Sequence, residues 1–318
     1  MGWKKHNLSP TKLLLITLVL IYAIFTFTVP EYRFLSTSFI QLLFELMPIF
    51  IFLVIGQSLV ILTGEIDISV GQVFVFCSTF LSLLYTVYHL HPALAIIGTL
   101  LLGCSAGALN GFLVTRFKLN SFLVTLATTW IFYGIMLLLS GAYSIPYSPN
   151  DRIYVDMFID RIGGIIPTQL IWAIIFSTLF YIILSKTRLG NWMYATGSNP
   201  EAAFRSGINI DYVKMIAFIF CGFLAAFAGI IDVSRFGAGL PRDGGTSSLV
   251  AVAGAAIGGI RLGGGSGSLV GAILGAIIMR ILDSGFVMMN VPPFYFQVIL
   301  GITILIAVIA HYKFLKER

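Results

Sequence analysis

The chain has 318 residues, 58% of them hydrophobic and only 10% charged, with a mean hydropathy of +0.99. Soluble domains carry about 25% charged residues, so a water-covered globule is excluded and an integral membrane protein is indicated. The net charge of +6 would suit a nucleic-acid partner only if the basic residues clustered, and they are spread along the chain.

A membrane-crossing helix needs about 20 mostly apolar residues. In chain order the qualifying runs cover 12–29, 38–62, 70–88, 93–115, 121–140, 167–184, 214–232, 248–260, 267–282 and 294–311. The eighth is short and rich in glycine and alanine, which also suits an element that crosses only half way. The first run follows Lys4 and Lys5 but lacks a small-residue cleavage site, so it reads as a retained helix rather than a signal peptide. The fold class expected is therefore all-α: one polytopic domain over 1–318 with about ten transmembrane helices.

Charge sets the orientation. With the N-terminus in the cytoplasm, the inner segments hold Lys4, Lys5, Lys12, Arg116, Lys118, Lys186, Arg188, Arg205, Lys214, Arg261, Lys313, Lys316 and Arg318, or 13 of the 19 basic residues. The outer segments hold Arg33, Arg152, Arg161, Arg235 and Arg242. The positive-inside rule thus places both termini in the cytoplasm. Cys77, Cys104 and Cys221 lie within apolar runs and read as small buried hydrophobes.

The chain also resembles itself. Residues 101–135 and 262–302 each open on small residues, break at a short polar segment and continue as an aromatic-led helix. In the span numbering these units are five apart, so two copies would be inverted, an arrangement typical of transporters. Chance likeness between glycine-rich packing helices is the alternative.

Between the second and third spans the chain reads TGEIDISVG, residues 63–71. A carboxylate in hydrocarbon is costly, so Glu65 and Asp67 must face water, a cavity or a partner. One reading is a solvated turn in which Asp67 and Ser69 cap the next helix. The other is a polar break lining a solute route, with Gly64, Glu65, Asp67, Ser69 and Gly71 as its candidate residues.

Two longer polar segments follow. Residues 141–166 form the longest external loop, with mixed charge and Tyr143, Tyr147 and Tyr154; it is either a solvated loop or a contact surface for another protein. Residues 186–213 form the longest inner insertion, and within it SNPEAAFRSG spells a short helix. Ser198 or Asn199 caps it, Pro200 starts it, Glu201 suits its positive end, Ala202 and Ala203 extend it and Gly207 stops it. A helix of two turns is not stable alone, so it docks on its own bundle or on another protein.

The motifs carry a resemblance. LVILTGEIDISVGQV is similar to the T-G-G-I-D-L-S-V-G segment of the permease subunits of ribose-type ABC importers, and TGSNPEAAFRSGI resembles that family's coupling segment. GGIRLGGGSGSLVGAILGA and PPFYFQVILGITILIAV resemble its C-terminal helices. The resemblance implies a multi-pass protein of the bacterial inner membrane that works with a second permease subunit, identical or not. It further implies two ATPase subunits and a solute-binding protein delivering a sugar or sugar-like solute. Asn199, Pro200, Glu201, Ala202, Ala203, Arg205 and Gly207 would then form the helix gripped by the ATPase. ATP would be bound by those partners, and the chain itself holds no G-x-x-x-x-G-K-[ST] phosphate loop, so it would be neither an enzyme nor a cofactor binder.

Departures from the family pattern are visible. Glu65 stands where the family commonly has glycine, and the acidic G-x-E-L-D-A-I-A-A segment is replaced by Ser248 to Gly254. Arg280 interrupts a span that is normally apolar, with Asp283 one turn later as its expected partner. An ion-coupled secondary transporter using Glu65 and Asp67 is the rival reading. His6, His89, His91 and His311 are scattered and form no catalytic or metal pattern.

Overall fold

A computed structural model describes residues 10–164 and 166–316. Lys4, Lys5, His6 and Arg318, used above, lie outside the described residues. The helices are α1 (Pro10–Thr28), α2 (Thr37–Leu62), α3 (Val70–Ser82), α4 (Pro92–Phe117), α5 (Ser121–Ser140), α6 (Arg152–Phe158), α7 (Thr168–Lys186), α8 (Arg188–Ser198), α9 (Pro200–Arg205), α10 (Ile210–Phe236), α11 (Gly245–Ile257), α12 (Leu269–Met288) and α13 (Pro293–Lys316). Two two-stranded pairings complete the chain: β1 (Ile145–Pro146) with β4 (Ala238–Gly239), and β2 (Arg161–Ile162) with β3 (Ile166–Pro167).

Helix boundaries follow their capping residues. Ser36, Asn120 and Asn209 each accept a backbone N–H from the residue three further on, opening α2, α5 and α10. Pro92 sits in the first turn of α4, and glycines in the left-handed conformation end α5 at Gly141 and α10 at Gly237. A helix lies over every one of the ten expected spans. Among the described residues eight are long and apolar enough to cross a membrane, counting α3 with its continuation to Val87. The helices over 248–260 and 294–311 are shorter in their apolar parts, Gly245–Ile257 and Pro293–Ile306. The protein is thus a helical, polytopic membrane protein.

Helix α10 is the centre of the bundle: 78% of its spanning window is buried, against 6% for α1 at the edge. Apolar residues cover all sides of α2 and α10, as burial on every side demands. On the peripheral helices large hydrophobes point outward, Leu138 on α5 being 84% exposed and Phe27 on α1 78%. Such a surface suits lipid rather than water.

The packing scheme repeats within the chain. Helix α10 packs on α4 and α3, while α2 packs on α12 and α11. Likewise α3 packs on α5, and α11 on α13. Shifting each helix of one pair by five spans, forward or back, gives the matching pair.

Residues 63–69 and 186–213 share one end of the bundle, here the proximal end. Residues 141–167 occupy the other, distal end. The segment 141–166 is not a simple solvated loop. Asp151 caps α6 through the Tyr154 N–H, Arg161 forms an ion pair with Glu45 of α2, and Tyr147 and Tyr154 are buried while Tyr143 is exposed. Burial holds the Tyr154 phenol up at about 12 and pushes that of Tyr147 up as well. Thus two of the three tyrosines pack inward rather than presenting a contact surface.

Candidate functional site

The loop after α2 is bound on every side. Thr63 caps α2 through Val60, and Gly64 takes φ +86° to turn the chain, a conformation that glycine adopts without strain. The Ile66 N–H donates to Ser121 Oγ at 3.2 Å and the Ile68 N–H to Thr125 Oγ1 at 3.0 Å, both on α5. Buried backbone donors require such partners, and the small polar residues at the start of α5 supply them.

Asp67 and Ser69 are buried, so the solvated-turn reading does not hold for them. The Ser69 N–H and hydroxyl both donate to Asp67 Oδ1, at 2.8 and 2.6 Å. Asn110 of α4 donates to Ser69 Oγ at 2.8 Å, so the Ser69 side chain is occupied and makes no cap for α3. Gln57, with its amide oriented to satisfy both partners, donates to the Asp67 carbonyl at 2.9 Å and accepts from its N–H at 3.3 Å. Burial raises the Asp67 carboxyl above its usual range, against the opposing pull of the Ser69 hydrogen bonds.

Glu65 points elsewhere. Its Oε1 pairs with Lys214 Nζ at 2.5 Å, and both side chains are largely buried. Lys214 stands one turn into α10, so this pair ties the loop to the helix that follows the 186–213 insertion. Lys118 and Asp211 form a second, exposed pair at the same end.

Gly71 opens α3 against α11. Its N–H donates to Ser248 Oγ at 2.9 Å, and Ser248 Oγ donates in turn to the Ile68 carbonyl at 2.5 Å. In the reverse direction the Gly244 N–H at the start of α11 donates to Gln72 Oε1 at 2.9 Å. A Cβ on Gly71 would fall 2.2 Å from the Gly244 carbonyl oxygen, so no larger residue fits. Of the five candidates, Asp67, Ser69 and Gly71 are buried, and Gly64 and Glu65 lie at the proximal surface of the same loop.

The helix in the insertion forms as α9. Asn199, not Ser198, is its cap, accepting the Ala202 N–H at 3.0 Å, and Pro200 occupies its first turn. Ala203 is buried against the bundle, Glu201 and Arg205 pair with each other at 2.5 Å in solvent, and Gly207 takes φ +83° beyond the end. Phe204 is 70% exposed, and sequence reading passed over it because a lone aromatic within a helix gives no periodic signal. A groove of about 780 Å³ runs beside it, between Pro200 and Lys118.

This insertion touches the loop directly. Ser198 Oγ donates to the Gly265 carbonyl at 3.0 Å, and the Gly265 N–H donates to the Leu62 carbonyl at 3.0 Å. A Cβ on Gly197 would lie 2.1 Å from that same Leu62 oxygen. The ends of α8, α2 and the α11–α12 turn thus meet backbone to backbone. Arg280, at the distal side of α12, pairs with Asp283 at 2.9 Å, as its spacing predicts.

Known proteins extend this picture. The family model described as branched-chain amino acid transport system / permease component matches residues 39–308. The autoinducer 2 import system permease protein LsrC of Photorhabdus luminescens is 34% identical over 284 residues, 89% of this chain and 84% of that protein. The D-allose transport system permease protein AlsC of Escherichia coli K12 is 34% identical over 292 residues, 92% of this chain and 88% of that one. The ribose import permease protein RbsC of the same strain is 31% identical over 261 residues, 81% of each chain. No solved structure matches. This chain belongs to the branched-chain amino acid transport system / permease component family, on its branch of ribose-type ABC importer permeases.

Proposed function

We propose that this chain is the membrane-spanning permease subunit of an ABC importer, forming the route for a sugar or sugar-like solute. An extracytoplasmic binding protein delivers the solute, separate ATPase subunits bind the ATP, and a second permease subunit completes the pathway. The relatives named for ribose, D-allose and autoinducer 2 support the solute class. In this reading the chain makes ten crossings of the bacterial inner membrane as an inverted repeat, with both termini in the cytoplasm. The helix packing that recurs at an offset of five spans favours that arrangement.

One observation carries the reading: α9 is held to the bundle by Ala203 while Phe204, Glu201 and Arg205 face solvent. An exposed aromatic on a two-turn helix is an anchor for a partner groove. Movement of α9 passes through Ser198 and Gly265 to the end of α2, and through Lys214 to Glu65. Only contacts that differ between inward and outward states shift that balance, and this reading requires these contacts to be remade between the two. The route residues Gly64, Glu65, Asp67, Ser69 and Gly71 then act as the joint between coupling segment and bundle.

The ion-coupled alternative is less well supported. Glu65 already has Lys214 as its counter-charge, and the Asp67 oxygen that faces Ser69 is filled by two donors. The test is to isolate the full chain in mild detergent from its native host and measure co-purifying ATPase activity and ATP-driven uptake. An ATPase subunit bound to the wild type and lost in Ala202→Pro supports the assignment. Uptake that persists without ATP and stops with an uncoupler overturns it.

A further inference from the structure

The transport reading leaves the solute's resting place on this chain open, and a second cavity bears on it. A pocket of about 180 Å³ lies between α2, α11, α12 and α13 on the distal side. Its walls include the rings of Phe50, Phe286 and Phe296, and its polar lining includes Ser247, Asp283 and Gln297. A few convergent polar groups set among apolar walls are the usual form of a small-molecule site. Liquid water takes about 30 Å³ per molecule, so the space holds roughly six waters, close to the bulk of one sugar ring.

Charge narrows the class. Asp283 is paired with Arg280 at 2.9 Å, so the pocket carries no uncompensated charge. The guanidinium of Arg280 does not line the cavity; it is engaged by Asp283, by Ser284 at 3.1 Å and by the face of Phe50 at 5.2 Å. An amino acid zwitterion or a phosphorylated solute would find no free cation for its anionic group. A ring of hydroxyls would find acceptors and donors in Asp283, Ser247 and Gln297, with aromatic side chains beside its C–H groups. Ser247 also adjoins Ser248, which holds the start of α3, so an occupant sits one residue from the joint between the two halves.

We propose that this pocket binds an uncharged, polyhydroxylated solute of monosaccharide size as it passes through the permease, which rests on the transport reading above. The test uses the full chain in proteoliposomes with Ser247→Cys, labelled by a membrane-impermeant maleimide against the parent chain as background. D-ribose and D-allose are the probes, with L-leucine as the charged comparison. The proposal requires that a sugar slow the labelling while leucine does not. It also requires that Gln297→Ala raise the half-protecting sugar concentration by about tenfold, the loss of one good hydrogen bond. Labelling slowed by leucine alone, or by no probe, overturns it. Gln297→Cys serves as the reporter if Ser247→Cys is not recovered folded. The two readings fail separately: an ATPase that co-purifies without sugar protection sinks only the pocket, and protection without an ATPase sinks only the coupling.

Discussion

The Gly71 N–H donates to Ser248 Oγ at 2.9 Å although 177 residues separate the two. Gly244 and Gln72 return the bond in the opposite direction at 2.9 Å. The first turns of α3 and α11 therefore cap one another, and the two halves of the chain meet where neither helix can satisfy its own N–H groups. Ser248→Ala leaves the Gly71 N–H and the Ile68 carbonyl without that partner. The expected loss is about 1–3 kcal/mol, measured as a lower denaturant midpoint of the detergent-solubilised chain.

The same contact is close to its steric limit. Gly71→Ala drives a methyl into the Gly244 carbonyl, and both backbones must shift. The expected outcome is loss of the monodisperse protein in gel filtration. Gly134→Ala in α5 meets nothing within 4 Å and serves as the control. It should be neutral or stabilising by up to about 1 kcal/mol through helix propensity.

Asn199 caps the N-terminus of α9 by accepting the Ala202 N–H. Removing it as Asn199→Ala costs about 1 kcal/mol of local helix stability, enough to fray a helix of six residues. Because α9 contributes little to the core, the melting temperature should stay near wild type while ATP-driven uptake falls. Equal losses in both would show that α9 is structural rather than a coupling element.

Glu65 and Lys214 form a pair whose members are only 16% and 19% exposed. Replacing one member strands the other in a poorly hydrated site. Glu65→Gln and Lys214→Met should each cost about 1–3 kcal/mol, and the charge-reversed double variant should recover much of that loss. A double-mutant cycle on thermal unfolding with zero coupling would show that the contact contributes nothing.

Asp67 gives a pH signature. Its carboxyl is raised in the folded chain by burial from an ordinary value of 3.8, so the folded state holds the proton more tightly than the unfolded one. The stabilisation is complete below that ordinary value and is lost as pH rises through the raised folded value. Asp67→Asn keeps an oxygen for the Ser69 donors and cannot ionise. Its stability should therefore fall less than that of the wild type over the same rise in pH, measured by unfolding at a series of pH values.

Much of this molecule can be read from its residue order. Hydropathy places a helix over each of the ten expected spans, and Asn120, Asn209, Gly141 and Gly237 mark boundaries within a few residues, because capping and apolar run length are local properties. The spacing of Arg280 and Asp283 predicted their pair for the same reason. The length of α11 was less legible, since glycine and alanine dilute the signal.

What the residue order leaves open is where the polar groups of the 63–71 loop point. Glu65 and Asp67 are two residues apart and chemically alike. One finds a lysine 149 residues away, the other a serine two residues on and a glutamine in the preceding helix. Residue order alone requires these carboxylates to be compensated, because hydrocarbon solvates no charge. Which partner compensates each is set by the folded bundle, because it depends on which helices cross, and contacts as remote as Gly71 with Ser248 leave no periodic trace along the chain.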